Sequence, residues 1–219
     1  MEKRGLIFGT YNTVEHLWTL TGWSFSAPEY QEKFLDVPGR DGALDLSAAL
    51  TNGAPTYHSR TLTVKLECSE GNRLTREVAI NTMVNWLDGW RVDIVLPDDP
   101  DHYVTGRVSV KKEYNDNAHA AVTVTAVCDP WRYARYETAY NMTATTEPQT
   151  VRLSNAGRRT AAPLLAITGG TILVAYGVYS WSLGAGTYQL PDLTLPQGGG
   201  SLTYSGTGTL RISYREAVL

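Results

Sequence analysis

The sequence predicts a mainly β protein with one helix, organised as two β domains. Three patterns predict it. Short runs of strict apolar and polar alternation recur along the chain, helical periodicity shows in a single stretch, and the composition changes abruptly near residue 135. The expected layout is an N-terminal β-barrel-like or sandwich-like domain with a covering helix over 1–135. A small β-sandwich or jelly roll follows over 136–219.

The opening segment, to about Ser26, alternates loosely and carries Tyr11, Trp18, Trp23 and Phe25, residue types that favour strands. Gly22–Ser26 is its clearest strand, and Ala27-Pro28 breaks it. A mixed stretch from Glu29 to Asp36 leads into the turn Pro38-Gly39-Arg40-Asp41-Gly42, and Leu50 to Pro55 is a second dense turn. From Thr61 to Cys68, Leu62, Val64, Leu66 and Cys68 share one face, as in a strand with one wet side. Between Arg73 and Asp88, Ile80, Met83, Val84 and Leu87 follow helical spacing, with Asn72 capping the start, Gly89 the end, and Trp86 and Trp90 extending the apolar side. Val92–Leu96, Tyr103–Lys112 and Ala120–Cys128 read as a meander, with the connections at Asp98 to His102 and Tyr114 to Ala118.

Beyond residue 135 lie only 9 of the 41 charged residues but 11 of the 20 glycines. This marks a domain boundary with a linker over 134–144. Seven short strands are expected beyond it, from Gln149 to Arg215, with turns at Asn155-Ala156-Gly157, Gly169-Gly170, Gly184-Ala185-Gly186 and Gly198-Gly199-Gly200.

At 219 residues and 42% hydrophobic content the chain should bury a real core without metals or disulfides. A net charge of −3 supplies no basic footprint for gripping nucleic acid. The start, Met1 to Thr10, holds only a three-residue apolar run and is no signal peptide, so synthesis in the cytoplasm is expected; no stretch is long and apolar enough for a membrane helix. Cys68 and Cys128 each close an alternating run and read as buried free thiols.

Catalytic chemistry finds little material. The second region has no His or Cys, and its carboxylates are Glu137, Glu147, Asp192 and Glu216, a thin supply for a carboxylate pair or a triad. His16, His58, His102 and His119 lack metal-ligand spacing and read as loop residues. Asp98 to Asp101 lacks the Gly and distal Glu of a calcium loop. The expectation is a non-enzyme with no metal and no cofactor.

The most informative stretch is Val37 to Ser47. Pro38 presets φ, Gly39 and Gly42 permit positive φ, and the turn therefore presents Arg40 and Asp41 outward ahead of a short run holding Leu44, Asp45 and Leu46. Arg40 offers a planar fork suited to a carboxylate on another segment or subunit. This stretch resembles a signature of siphophage distal tail proteins. Cys128-Asp129-Pro130-Trp131-Arg132-Tyr133 and Ile212-Ser213-Tyr214-Arg215-Glu216 are similar to other parts of that family's pattern. The resemblance implies an N-terminal domain assembling into a hexameric ring and a C-terminal galectin-like β-sandwich. It places the ring in the virion at the tail tip, assembled in the bacterial host, joining the tail tube protein to the tail-associated hub protein and receptor-binding apparatus. DNA passes through the ring without specific binding, and nothing inserts into a membrane. The interface residues expected on this basis are Pro38, Gly39, Arg40, Asp41, Gly42 and Asp45. The rival reading is a carbohydrate-binding β-sandwich in which Tyr179, Trp181 and Tyr188 stack on sugar, against which stands the missing His of a galectin-like site.

Overall fold

The computed structural model describes residues 5–51 and 53–219. The first four residues of the opening segment, and Asn52 of the second turn, lie outside them. The described chain divides into two compact units, one running to Arg132 and the other from Tyr133 to Leu219.

In the first unit the elements are β1 (Ile7–Phe8), β2 (Tyr11–Asn12), β3 (Thr19–Phe25), β4 (Phe34–Leu35), β5 (Leu44–Asp45), β6 (Arg60–Cys68), α1 (Arg73–Leu87), β7 (Arg91–Leu96), β8 (Asp99–Asn115) and β9 (Ala120–Cys128). The antiparallel pairing order is β2-β1-β7-β8-β9-β6-β3. Alternation in β6 and β9 explains the centre of the sheet. Leu62, Val64 and Leu66 stand opposite Ala126, Val124 and Val122 in register, and all six are buried. Onto that face α1 lowers Ile80, Met83 and Leu87, while Leu6, Phe8, Tyr11 and Trp18 fill the end beside β1 and β2. Removing this apolar surface from water, at about 25 cal/mol per Å2, is the main favourable term.

The helix begins and ends as its sequence predicts. Asn72 Oδ1 accepts the Thr75 backbone N–H at 2.9 Å, and Gly89 follows the last turn at φ 78°, a left-handed position that suits glycine. Trp86 and Trp90 were expected on the buried side, yet they are 54% and 64% exposed. Trp86 sits one residue before buried Leu87, a step of about 100° around the helix, which puts it on the flank. Arg76 takes a core position instead. Its guanidinium is buried and donates to the carbonyls of Gly71 at 2.7 Å and Asp116 at 2.9 Å.

The connection expected at Asp98 to His102 is shorter than that. Only Pro97 and Asp98 form the turn, and Leu96 already pairs with Asp99. The charges that suggested a loop are satisfied inside the strand: the Asp99 carboxylate lies 2.7 Å from His102 Nδ1 and accepts Arg132 Nη1 at 2.6 Å. His102 is thus a strand residue, and the Asp99 carboxylate is taken up by the His102 ring and the Arg132 guanidinium.

The short β10 (Arg132–Ala134) begins on the last residue of the first unit, and the second unit then holds β11 (Thr138–Ala144), β12 (Gln149–Leu153), β13 (Leu164–Thr168), β14 (Ile172–Tyr176), β15 (Tyr179–Leu183), β16 (Gly186–Gln189), β17 (Gly200–Gly206), β18 (Gly208–Tyr214) and β19 (Ala217–Val218). Two four-stranded antiparallel sheets, β11-β18-β13-β16 and β12-β17-β14-β15, make a sandwich. Leu153, Leu165, Ile167, Val174, Leu202, Leu210 and Ile212 form its core. Much of 134–144, expected as linker, is β11, paired with β18 from Thr138↔Tyr214 to Ala144↔Gly208. Its Thr-rich composition reads as linker, but Tyr140 and Met142 pack against the core from alternate positions. The glycine-rich turns are needed where backbones meet: a Cβ on Gly170 would lie 2.3 Å from Thr207 O.

Candidate functional site

Between β3 and β6 the chain leaves the sheet as an arm. Every residue from Ser26 to Ala43 is exposed. The stem is closed by the Ser26 N–H donating to Thr61 O at 3.0 Å and the Thr61 N–H donating to Ser26 Oγ at 2.9 Å. Arg60, only 7% exposed, locks that exit. Its guanidinium carbon lies 3.6 Å from the centre of the Phe25 ring, and its Nε donates to Ser26 O at 2.7 Å. A cation over an aromatic face away from water is a favourable pairing. Burial and the nearby Arg132 charge push the Arg60 pKa down.

Further out, the two legs are tied as a ladder. His58 N–H donates to Glu29 O and Gln31 N–H to Thr56 O, both at 2.9 Å, around the Tyr30↔Tyr57 bridge. Tyr57 meets Tyr30 edge-on at 6.1 Å between ring centres and Trp131 edge-on at 5.5 Å. The Cys-Asp-Pro-Trp-Arg stretch therefore has a structural task within this unit. Cys128 ends β9 in the core, Asp129 accepts Arg91 Nη2 at 2.5 Å, Trp131 props the arm's base, and Arg132 holds Asp99.

At the far end β4 and β5 pair only as Phe34↔Asp45 and Leu35↔Leu44. The Pro38-Gly39-Arg40-Asp41-Gly42 turn is the tip of this hairpin. Gly39 and Gly42 have φ of 82° and 77°, and a Cβ on either would meet nothing within 4 Å, so conformation rather than space calls for glycine there. Among the described residues neither Arg40 nor Asp41 has a side-chain partner. Asp45 does: its carboxylate accepts the Ser47 N–H at 2.8 Å, and that contact with Ser47 holds its carboxyl below the usual range. It is a local brace for the arm, as Asx turns are.

The predicted interface residues are thus brought together on one projecting hairpin. What sequence reasoning missed is the apolar content of that hairpin. Phe34 is 58% exposed, Leu50 fully exposed, and Leu35 and Val37 open to solvent as well. Their signal lay in Phe34-Leu35 and Val37, apolar residues placed among charges with no alternating run to bury them. Residues 28–58 carry five carboxylates against Lys33 and Arg40, so the arm is acidic as well as sticky.

In the second unit Tyr179 and Trp181 stack at 5.9 Å with an 18° interplanar angle. Trp181 and Tyr188 pack against the core, and Tyr188 Oη donates to Gly184 O at 3.2 Å. Only Tyr179 of the three is an exposed ring. The C-terminal stretch closes this unit on itself: Tyr214 Oη donates to Ser154 O, and Arg215 Nη1 to the carbonyls of Ala134 at 2.9 Å and Arg135 at 2.6 Å.

Groups with strongly raised pKa values lie in the cores. Burial pushes the Cys128 thiol and the Tyr11 hydroxyl up to about 12 each, and raises Tyr214 as well. Among the described residues no group of three or more His, Cys, Asp or Glu is placed to hold a metal, and no helix is long and apolar enough to cross a membrane.

The sequence matches no family model and no curated protein. The fold, however, is similar to solved structures. The SPP1 Dit (gp 19.1) protein, described as a paradigm of the hub adsorption apparatus in phages infecting Gram-positive hosts, aligns over 98% of this chain and 99% of its own, with a TM-score of 0.68 and 14% identity. Two structures of the phage P2 baseplate in its activated conformation, with Ca and with Sr, align over 99% and 97% of this chain and 99% and 98% of their own. Their TM-scores are 0.48 and 0.44, at 9% and 8% identity. The chain has the fold of the Dit hub protein from end to end.

Proposed function

We propose that this chain is a structural protein of a phage tail tip, a distal tail protein with no catalytic role. The observation that carries the reading is the match of the whole two-unit fold, covering 98% of this chain, to a hub protein of a phage adsorption apparatus. On this reading the first unit assembles into a ring, six-membered by the family resemblance. The ring joins the tail tube protein to the tail-associated hub protein and the receptor-binding apparatus, and passes DNA through its channel. A ring requires a heterologous contact, one surface meeting a different surface of the neighbour. The arm, anchored at Arg60 and exposed beyond it, is suited to one side of that contact. Arg40 at its tip is available to a carboxylate across the gap.

Negative-stain imaging of the purified full chain, alone and with the tube protein, tests this. Six-fold rings are expected. Particles of single-chain size under both conditions would overturn it. Arg40→Ala should weaken assembly while leaving the unfolding temperature within about 1 °C of wild type, since the Arg40 side chain has no partner among the described residues.

A further inference from the structure

The first unit holds a cavity of about 490 Å3, open to solvent between β3, at the edge of the sheet, and the turn from β7 to β8. Trp23 and Phe25 of β3 and Leu96 of β7 give it apolar walls, while Arg60, Asp98 and Asp99 bring charge to it. Small-molecule pockets occupy roughly 300–1,000 Å3 and combine apolar walls with a few placed polar groups. From this cavity we infer a binding site for a carboxylate carried on an apolar body, the Arg60 guanidinium taking the charge and Trp23, Phe25 and Leu96 the body. The site belongs to the first unit alone and is the same in a single chain and in a ring.

The state of Arg60 carries the argument. Only 7% of it is exposed, and a buried charge with no counterion is costly. Its partners are all neutral. Nε donates to Ser26 O at 2.7 Å, Nη1 reaches Pro130 O only at 3.5 Å, and the Phe25 ring lies against the guanidinium carbon. Among the described residues no carboxylate pairs with Arg60 and nothing accepts from its Nη2. The edge formed by Nη1 and Nη2 is therefore unspent, and such an edge takes a carboxylate through two parallel hydrogen bonds. Stacking on Phe25 fixes the plane of that fork, so an incoming carboxylate meets it already oriented.

The acids of the same cavity do not serve Arg60, but they select among anions. Asp99 is taken up by His102 Nδ1 and Arg132 Nη1, at 2.7 and 2.6 Å, and Asp98 stands exposed at the turn. Both repel a doubly charged phosphate more than a singly charged carboxylate. With Arg132 held by Asp99, Arg60 is the cation left for the ligand, and one cation beside aromatic walls suits one carboxylate on an apolar body.

Saturation-transfer difference NMR on the full chain tests this at any assembly size. The probes are 3-phenylpropionate, the tripeptide glycyl-glycyl-phenylalanine, and the carboxamide of each. The two acids should bind with dissociation constants of about 1 mM or tighter, and the amides at least about tenfold more weakly, as losing one charge-assisted pair requires. Arg60→Gln should weaken the acids by a similar factor and leave the amides unmoved, its circular dichroism melt showing that the chain is folded. Asp98→Asn leaves Arg60 in place and removes a negative charge from the cavity, so it should tighten both acids about two- to threefold. A tighter peptide acid names a chain terminus as the source of the carboxylate, and a tighter free acid names a small molecule. Acids and amides that bind alike, no signal from either acid at about 10 mM, or acid affinity unchanged in a folded Arg60→Gln would overturn the site. Where Arg60→Gln loses its fold, unchanged acid affinity in Asp98→Asn overturns it instead.

Discussion

Gly106 and Cys128 show how a single register pair constrains two residues that lie far apart in sequence. They stand opposite each other between β8 and β9, and a Cβ on Gly106 would lie 2.6 Å from Cys128 Sγ and 3.2 Å from Val127 O. The thiol fills the space the glycine leaves. Gly106→Ala should therefore destabilise by about 1–3 kcal/mol, the usual cost of overpacking. Cys128→Ala should recover part of that loss in the double variant, because the sulfur clash goes while the backbone contact remains. Urea unfolding of the four-member cycle checks this, and strict additivity would refute the account. The same thiol sets a pH dependence. Burial raises Cys128 from 9.0, and Tyr11 from 10.0, to about 12 each. Both acids ionise more readily in the unfolded chain, so their contribution is complete below pH 9 and is lost as pH rises from 9 through about 12. Thermal midpoints should fall across that window, less steeply in Cys128→Ala.

At the scale of elements, the helix is where local sequence and fold agree most closely. Asn72 accepts from both the backbone N–H and the hydroxyl of Thr75, at 2.9 and 3.2 Å, so Asn72→Ala should cost about 1 kcal/mol. A loss under ~0.3 kcal/mol in thermal unfolding would show that buried Arg76, not the cap, holds this end. The strands with one wet face, β6 and β9, were legible because each alternates on its own. So were the glycine turns of the second unit. Elements that depend on a distant partner were not. The arm reads as a mixed stretch because β4 and β5 are held by Ser47, Tyr57 and Arg60 rather than by a period of their own. β11 reads as linker because Asn141 and Thr143 face water and Thr138 opens its half-buried side. Trp86 and Trp90 mislead for a different reason: the pattern counts apolar residues, but Trp86 turns to the flank of α1, where it meets only the edge of the core at the Tyr11 ring, and Trp90 lies beyond the helix end. Of the candidate site, the tip turn was legible from Pro and Gly chemistry. Its apolar flank and its root at Arg60 and Trp131 were not, since both are defined by tertiary contacts.

Across the whole molecule the two cores are separate, each with its own buried leucines and isoleucines, and this carries a prediction about autonomy. Residues 1–132 and 133–219, expressed separately, should each fold. The second is the sharper case, since it is near the size at which a single core becomes marginal. Its two sheets nevertheless enclose Leu153, Leu165, Leu202, Leu210 and Ile212 completely. Buried Asn155 adds a polar lock, its side-chain amide donating to Leu195 O at 2.9 Å and Arg159 O at 3.0 Å. A domain of this length should retain roughly 0.05–0.15 kcal/mol per residue, enough for a cooperative transition. The exposed residues Arg135 and Tyr136 lie between β10 and β11, so trypsin and chymotrypsin should release the fragment from the full chain there, not within β11. Because β10 is bound at its far side through the Ala134 N–H to Glu216 O at 2.9 Å, a fragment starting at 138 should be less stable than one starting at 133. Circular dichroism melts of the two fragments decide this. A 133–219 chain that melts without cooperativity would mean that the sandwich depends on the first unit for its fold.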